Sequence, residues 1–224
     1  LLLLKRQKQP TEPFKNLIRL LADRVLPTFC YALAQRNNHA STEACALMVA
    51  GTLLDNNTHS QPTHLYKKGR QNLERLILLL IFKDGSPYQH SINYHRANLE
   101  IFSMAELWRR SLDLPSFSKA YYERLSKGNK WLYELTDVTT GQVPNFGSND
   151  GSHLFRLPQE EYNDYRPTVA FVAALVDSEI AYPDLKFVMK KASHFDIKPN
   201  GKFWIQKRNF HSTTGGYFFI RRSN

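Results

Sequence analysis

Asn37-Asn38-His39 places two amides and an imidazole at the mouth of Ser41–Leu54, a segment with almost no polar face. A helix that is apolar all round is normally buried on all sides. Polar groups at its start are therefore caps or members of a site. Asn38 can cap the helix, but that accounts for one amide and leaves Asn37 and His39 unexplained. A helix N-terminus offers unpaired N–H groups and the positive end of the dipole, which favour an anion. Asn38 and His39 are thus suited to holding a carboxylate, with Asn37 as an adjoining substrate contact.

A second cluster, Asp84 to Arg96, puts Tyr88, His90, Tyr94, His95 and Arg96 within nine residues, after the apolar run Leu76–Phe82. Asp84-Gly85 and Ser86-Pro87 are turn chemistry, and the residue before Pro87 is biased away from helix. A wet loop covering a helix end is the plain alternative, but the density of proton-transfer groups points to a site. His90 and His95 are five apart, which is not the i, i+4 spacing of a helical zinc site. The third cluster, Gly141 to His153, is rich in Gly, Asn and Asp. Glycines supply positive φ, and Asn and Asp side chains bond their own backbone. This predicts an ordered loop that supports a cleft, with Asn149 as its candidate substrate contact.

The elements that must position these groups are mainly helical. Helices are expected over roughly 14–34, 41–54, 70–82, 95–111, 117–134 and 167–179. Leu73, Leu76, Ile77, Leu80 and Ile81 form a stripe at helical spacing, and Leu99, Phe102, Ala105 and Trp108 form another. After Pro183 the pattern changes. Lys202–Ile205 and Gly216–Ile220 read as short aromatic strands joined by the turn-rich Asn209–Gly215.

Lys and Arg number 30 against 20 Asp and Glu, a net charge of +10. Such an excess concentrates and steers a polyanion. Zinc-finger spacing, a Walker loop and an arginine-rich arm are all missing from the sequence, so an acidic polysaccharide fits better than nucleic acid. Cys30 and Cys45 read as small core residues. No run of about eighteen apolar residues predicts a membrane span.

The three clusters, in this order, resemble the heparinase II/III-like polysaccharide lyases. That family has an Asn-His pair opening an inner helix, an Asp-Gly…Ser-x-x-Tyr-His segment and a Pro-Asn-x-Gly-x-Asn-Asp-Gly loop. The resemblance covers roughly residues 36–176, and the separation of His39 from Tyr94 by 55 positions also suits it. It implies a mainly α fold: an incomplete (α/α) toroid over residues 1–190, then the first strands of an antiparallel β-sandwich over 200–224. It implies periplasmic or secreted localisation and cleavage of a uronic-acid polymer by β-elimination, without metal or cofactor. Asn38 and His39 would neutralise the uronate carboxylate. Tyr94 would be the base and also the acid, activated by His90, His95 and Arg96, of which His95 is read mainly as support for Tyr94. His90, His95, Arg96, Asn37 and Asn149 complete the candidate substrate-binding set.

The family's sandwich also supplies a His in a His-x-His-x-Asp-like stretch. This chain has none, and His211 does not match it, so the chain reads as a piece of a larger protein. Two alternatives follow. One is a toroid glycoside hydrolase using Asp150 with Glu160 or Glu161. The other is a non-catalytic polysaccharide-binding or assembly protein with Trp108 and Trp131 as sugar platforms.

Overall fold

The computed structural model describes residues 10–54, 63–157 and 159–221. They form two compact units. The first comprises Leu1–Leu76 with Ala105–Ser116, and the second comprises Ile77–Met104 with Phe117–Asn224.

In the first unit, α1 spans Glu12–Val25, α2 spans Phe29–Gln35 and α3 spans Asn38–Leu54. A single helix was expected over 14–34. Pro27 divides it, because proline has no N–H to continue the ladder and its ring crowds the preceding turn. α3 packs against α1 and α2 and buries Ala40, Ala44, Leu47, Met48 and Ala50. Its line of His39, Thr42 and Ala46 is exposed, so the expectation of burial on all sides does not hold here. α4, His64–Leu80, starts six residues earlier than the expected position 70. Gly69 lies inside this helix. It is there because α4 crosses α3 closely, and a Cβ at Gly69 would lie 2.3 Å from the Met48 nitrogen. The predicted α4 stripe is fully buried, from Leu73 to Ile81. Cys30 is exposed and Cys45 half-buried. Neither belongs to the fully buried core, although burial of its thiol pushes Cys45 up to about 12.

The second unit contains the start of α5, which spans Ile92–Ser111, and α6, Lys119–Leu135. The Ser118 side chain caps α6 by accepting from the Tyr121 N–H at 3.2 Å. α7, Arg166–Val172, runs into a π-turn, Ala173–Asp177. It packs on α6, on a 3-10 turn at Lys186–Met189 and on α8, Lys190–His194. Strands β1, Asn209–Ser212, and β2, Tyr217–Ile220, pair antiparallel, with Asn209 opposite Ile220 and Ser212 opposite Tyr217.

The expected strand at Lys202–Ile205 is not formed. Phe203 makes only an isolated bridge to Ile180, while Tyr133 Oη donates to the Trp204 carbonyl and Gln206 donates to the end of α6. The first strand lies instead inside the segment expected to be a turn. The fold is thus mainly helical with one small antiparallel sheet.

Candidate functional site

Asn37 precedes α3, and its side chain accepts from the His39 N–H at 3.0 Å. The cap is therefore Asn37, where the sequence pointed to Asn38. Asn38 occupies the first turn, half-exposed, and its carbonyl accepts from the Ser41 and Thr42 hydroxyls at 3.0 and 2.8 Å. His39 is exposed. Glu43, one turn on, is raised above the usual carboxylate range by burial, with a partial offset from His39.

In the second unit, the second and third sequence clusters meet. Ser91 starts α5: its hydroxyl accepts from the Tyr94 N–H at 3.1 Å and donates to the Ser148 carbonyl at 2.5 Å. The Ser-x-x-Tyr spacing is thus a helix cap that also binds the Gly141–His153 loop. His90, just before it, has φ 48, an uncommon conformation for a side chain of its size. Gly147 (φ +73) passes so close that a Cβ there would lie 2.1 Å from the His90 carbonyl.

Tyr94 is half-exposed. Its hydroxyl donates to Asp150 Oδ2 at 3.1 Å. Asp150 Oδ1 accepts from Asn93 Nδ2 at 3.1 Å and from the Ser152 N–H at 3.0 Å. Burial and then Asp150 push Tyr94 above the usual phenol range. The bonds from Ser152, with a smaller contribution from Tyr94, hold Asp150 below the usual carboxylate range.

The expected activating cations point elsewhere. His95 is buried, with Nε2 2.9 Å from the Gly128 carbonyl, and burial lowers it to about 4, so it is neutral near pH 7. Arg96 is fully buried. It donates to the Tyr162 carbonyl at 2.6 Å, to Asn93 Oδ1 at 3.0 Å and to the Ser152 carbonyl at 3.2 Å. Its guanidinium also lies 4.7 and 4.2 Å from the Tyr162 and Tyr165 ring centroids. His90 is exposed, with Nδ1 2.8 Å from the Tyr217 hydroxyl. In this conformation His95 and Arg96 reach no solvent, and they act by holding the loop and helix around Tyr94.

Asn149 is exposed, accepts from Tyr162 Oη and from the Gly151 N–H, and donates to Asn145 Oδ1 at 3.1 Å. It lines an open depression of about 210 Å³ with Gln142, Val143, Asn145, Asn163 and Tyr165. Four amides there suit hydroxyl-rich ligands, which both donate and accept. The composition of this wall was visible in the sequence, but not its convergence.

A buried ionic cluster was not anticipated. Glu100 Oε1 lies 3.1 Å from His153 Nε2 and accepts from Thr168 at 2.8 Å, while its Oε2 accepts from the Leu154 and Phe155 N–H groups. Glu160 pairs with buried Lys191 at 2.9 Å. The Glu160 carboxylate is therefore engaged in the interior, which disfavours its use as a hydrolase acid. Trp108 and Trp131 are buried as well, at 5% and 1% exposure, and cannot serve as sugar platforms.

Among the described residues, no three His, Cys, Asp or Glu side chains cluster as a metal site, and no helix is long and apolar enough to cross a membrane. The family model described as heparinase II/III N-terminus matches residues 27–166, which include all three sequence clusters. The chain belongs to this family and is thereby a relative of the polysaccharide lyases. No curated protein and no solved structure matched it.

Proposed function

We propose that this protein is a polysaccharide lyase that cleaves a uronic-acid-containing polymer by β-elimination. The observation that carries the reading is Tyr94: a half-exposed phenol at the head of a buried helix, hydrogen-bonded to Asp150 of the Gly141–His153 loop, within the matched family region.

The C5 proton of a uronate is α to a carboxylate and only weakly acidic. Its removal leaves an enolate-like dianion, so the carboxylate must be neutralised. Asn38 and His39, at an N-terminus favourable to anions, would supply hydrogen bonds that strengthen as charge develops. Tyr94 would move the proton. Its phenolate takes hydrogen from C5, the C5 electron pair forms the C4–C5 double bond, the C4–O4 bond breaks, and the phenol returns the proton to O4. The excess of basic residues favours an anionic polymer. A periplasmic or secreted location would bring the enzyme to such a substrate.

The test is to incubate the protein with heparan sulfate, alginate and capsular uronates and follow ultraviolet absorbance from the new double bond. Cleavage that yields reducing ends without unsaturation would indicate a hydrolase. Binding without cleavage would indicate an assembly or binding protein.

A further inference from the structure

The Tyr94 hydroxyl has a carboxylate partner that the elimination chemistry does not require. Asp150 is itself fixed from two sides. Asn93 donates to Oδ1, and the Asn93 side-chain oxygen is held in turn by Arg96 and by Tyr162 Oη at 3.2 Å. The Ser152 N–H donates to the same Oδ1 at 3.0 Å. Oδ2 is left to face the phenol. Asn93 is fully buried, so one of the two bonds that fix the exposed Asp150 is anchored in the interior.

The other ionisable groups around Tyr94 are turned away or paired. His95 faces Gly128, Arg96 faces Tyr162 and Ser152, His90 faces Tyr217, and His153 faces Glu100. Tyr162 spends its hydroxyl on Asn93 and Asn149. Among the described residues, Asp150 is the charged group hydrogen-bonded to Tyr94.

We propose that Asp150 is the positioning residue of Tyr94: its carboxylate aims the phenol hydroxyl, keeps the proton on it at rest, and so sets the pH at which turnover begins. An anion beside a phenol disfavours the phenolate, and a hydrogen bond to the protonated form does the same. Elimination by the Tyr94 phenolate would then rise with pH as that proton is lost. This rests on the lyase reading for its consequence in catalysis, but not for its effect on Tyr94 itself.

The experiment uses tyrosine labelled with carbon-13 at Cζ, with the Tyr94 resonance assigned from Tyr94→Phe. Its ionisation is followed in the wild type, Asp150→Asn and Asp150→Ala. Asn keeps an oxygen acceptor for the hydroxyl and removes the charge, so Tyr94 should ionise at lower pH in Asp150→Asn. With a cleavable uronate, the rise of kcat with pH should move the same way in that variant. Asp150→Ala loses the aim as well, and kcat should fall about 10²-fold with KM nearly unchanged, as for a misplaced proton-transfer group.

A Tyr94 titration that is identical in wild type and Asp150→Asn overturns the proposal, whatever the activity. Equal kcat profiles across the three proteins do so as well. If the wild type cleaves no uronate, the lyase reading fails, and the resonance titration still decides the role of Asp150.

Discussion

Tyr94 and His95 are neighbours in sequence and opposites in environment. Tyr94 is half-exposed and keeps its proton; His95 is sealed against Gly128 and Trp131, with ring centroids 5.1 Å apart, and is neutral near pH 7. Tyr94→Phe should keep the packing and remove the proton-transfer atom. The loss of elimination should be about 10²–10⁴-fold, read as unsaturated product, with substrate binding mostly kept. His95 should govern stability instead. Nε2 faces a carbonyl, while buried Nδ1 has no partner in the structure. A second proton would therefore find no acceptor. With a folded value of about 4 against an unfolded 6.5, the unfolded state binds more protons between those values. The stabilisation is full above pH 6.5 and is lost as pH falls toward 4, at most about 3 kcal/mol. Denaturant unfolding at several pH values checks this. His95→Gln, which can still donate to Gly128, should flatten the slope.

At the scale of elements, the Gly141–His153 loop owes its course to Arg96 from below and to the close passage of Gly147 over His90. Gly147 and Gly151 have similar φ, +73 and +80, but a Cβ at Gly151 would meet nothing within 4 Å. Gly151→Ala should cost about 1–2 kcal/mol, the left-handed strain alone. Gly147→Ala should cost more than that, because the loop must also move off His90, and it should weaken catalysis by displacing Asp150. Urea midpoints and kcat for the pair separate the two effects. Arg96→Lys keeps the charge but loses the planar fork and its stacking on two tyrosines. Its expected destabilisation is about 2–3 kcal/mol.

Much of this was legible. The Gly, Asn and Asp content of the Gly141–His153 segment marked it as an ordered loop, and the periodicity of α4 and α5 located those helices. Burial of Arg96 and pairing of Glu100 with His153 were not legible, since local spacing does not report which carbonyls or carboxylates arrive from more than fifty residues away. The misplaced strand has a similar cause. Aromatic content at 202–205 signalled a strand, but those backbone groups are taken by Ile180 and α6.

At the scale of the whole chain, the carboxylate-binding and proton-transfer candidates belong to different compact units: Asn38 and His39 to one, Tyr94 to the other. The proposed reaction requires both to act on one sugar. A crystal structure with a uronate oligomer should show its carboxylate on Asn38 and His39 with C5 facing Tyr94. A sugar that touches only one set would end the proposal. The net charge of +10 makes a second prediction. Affinity for uronate oligomers should fall steadily between 0.05 and about 0.5 M salt as screening shortens the Debye length. Binding indifferent to salt, or preferring neutral glycans, would exclude an acidic polymer.

Asp84 gives the hairpin a place in time. Its carboxylate accepts from Ser86, two residues away, and also from the Ser212 hydroxyl and the Thr214 and Gly215 N–H groups, about 130 residues on. Burial alone would raise its pKa, but these donors draw it below the usual carboxylate range. The short contacts can form at once, whereas the distant ones close a loop of 128 residues at considerable entropic cost. Docking of β1 and β2 should be a late step, absent from the transition state. Asp84→Asn should accordingly speed unfolding and leave the refolding rate nearly unchanged. The Asp-Gly-Ser turn would then be, in kinetic terms, the latch that decides how long the hairpin stays docked.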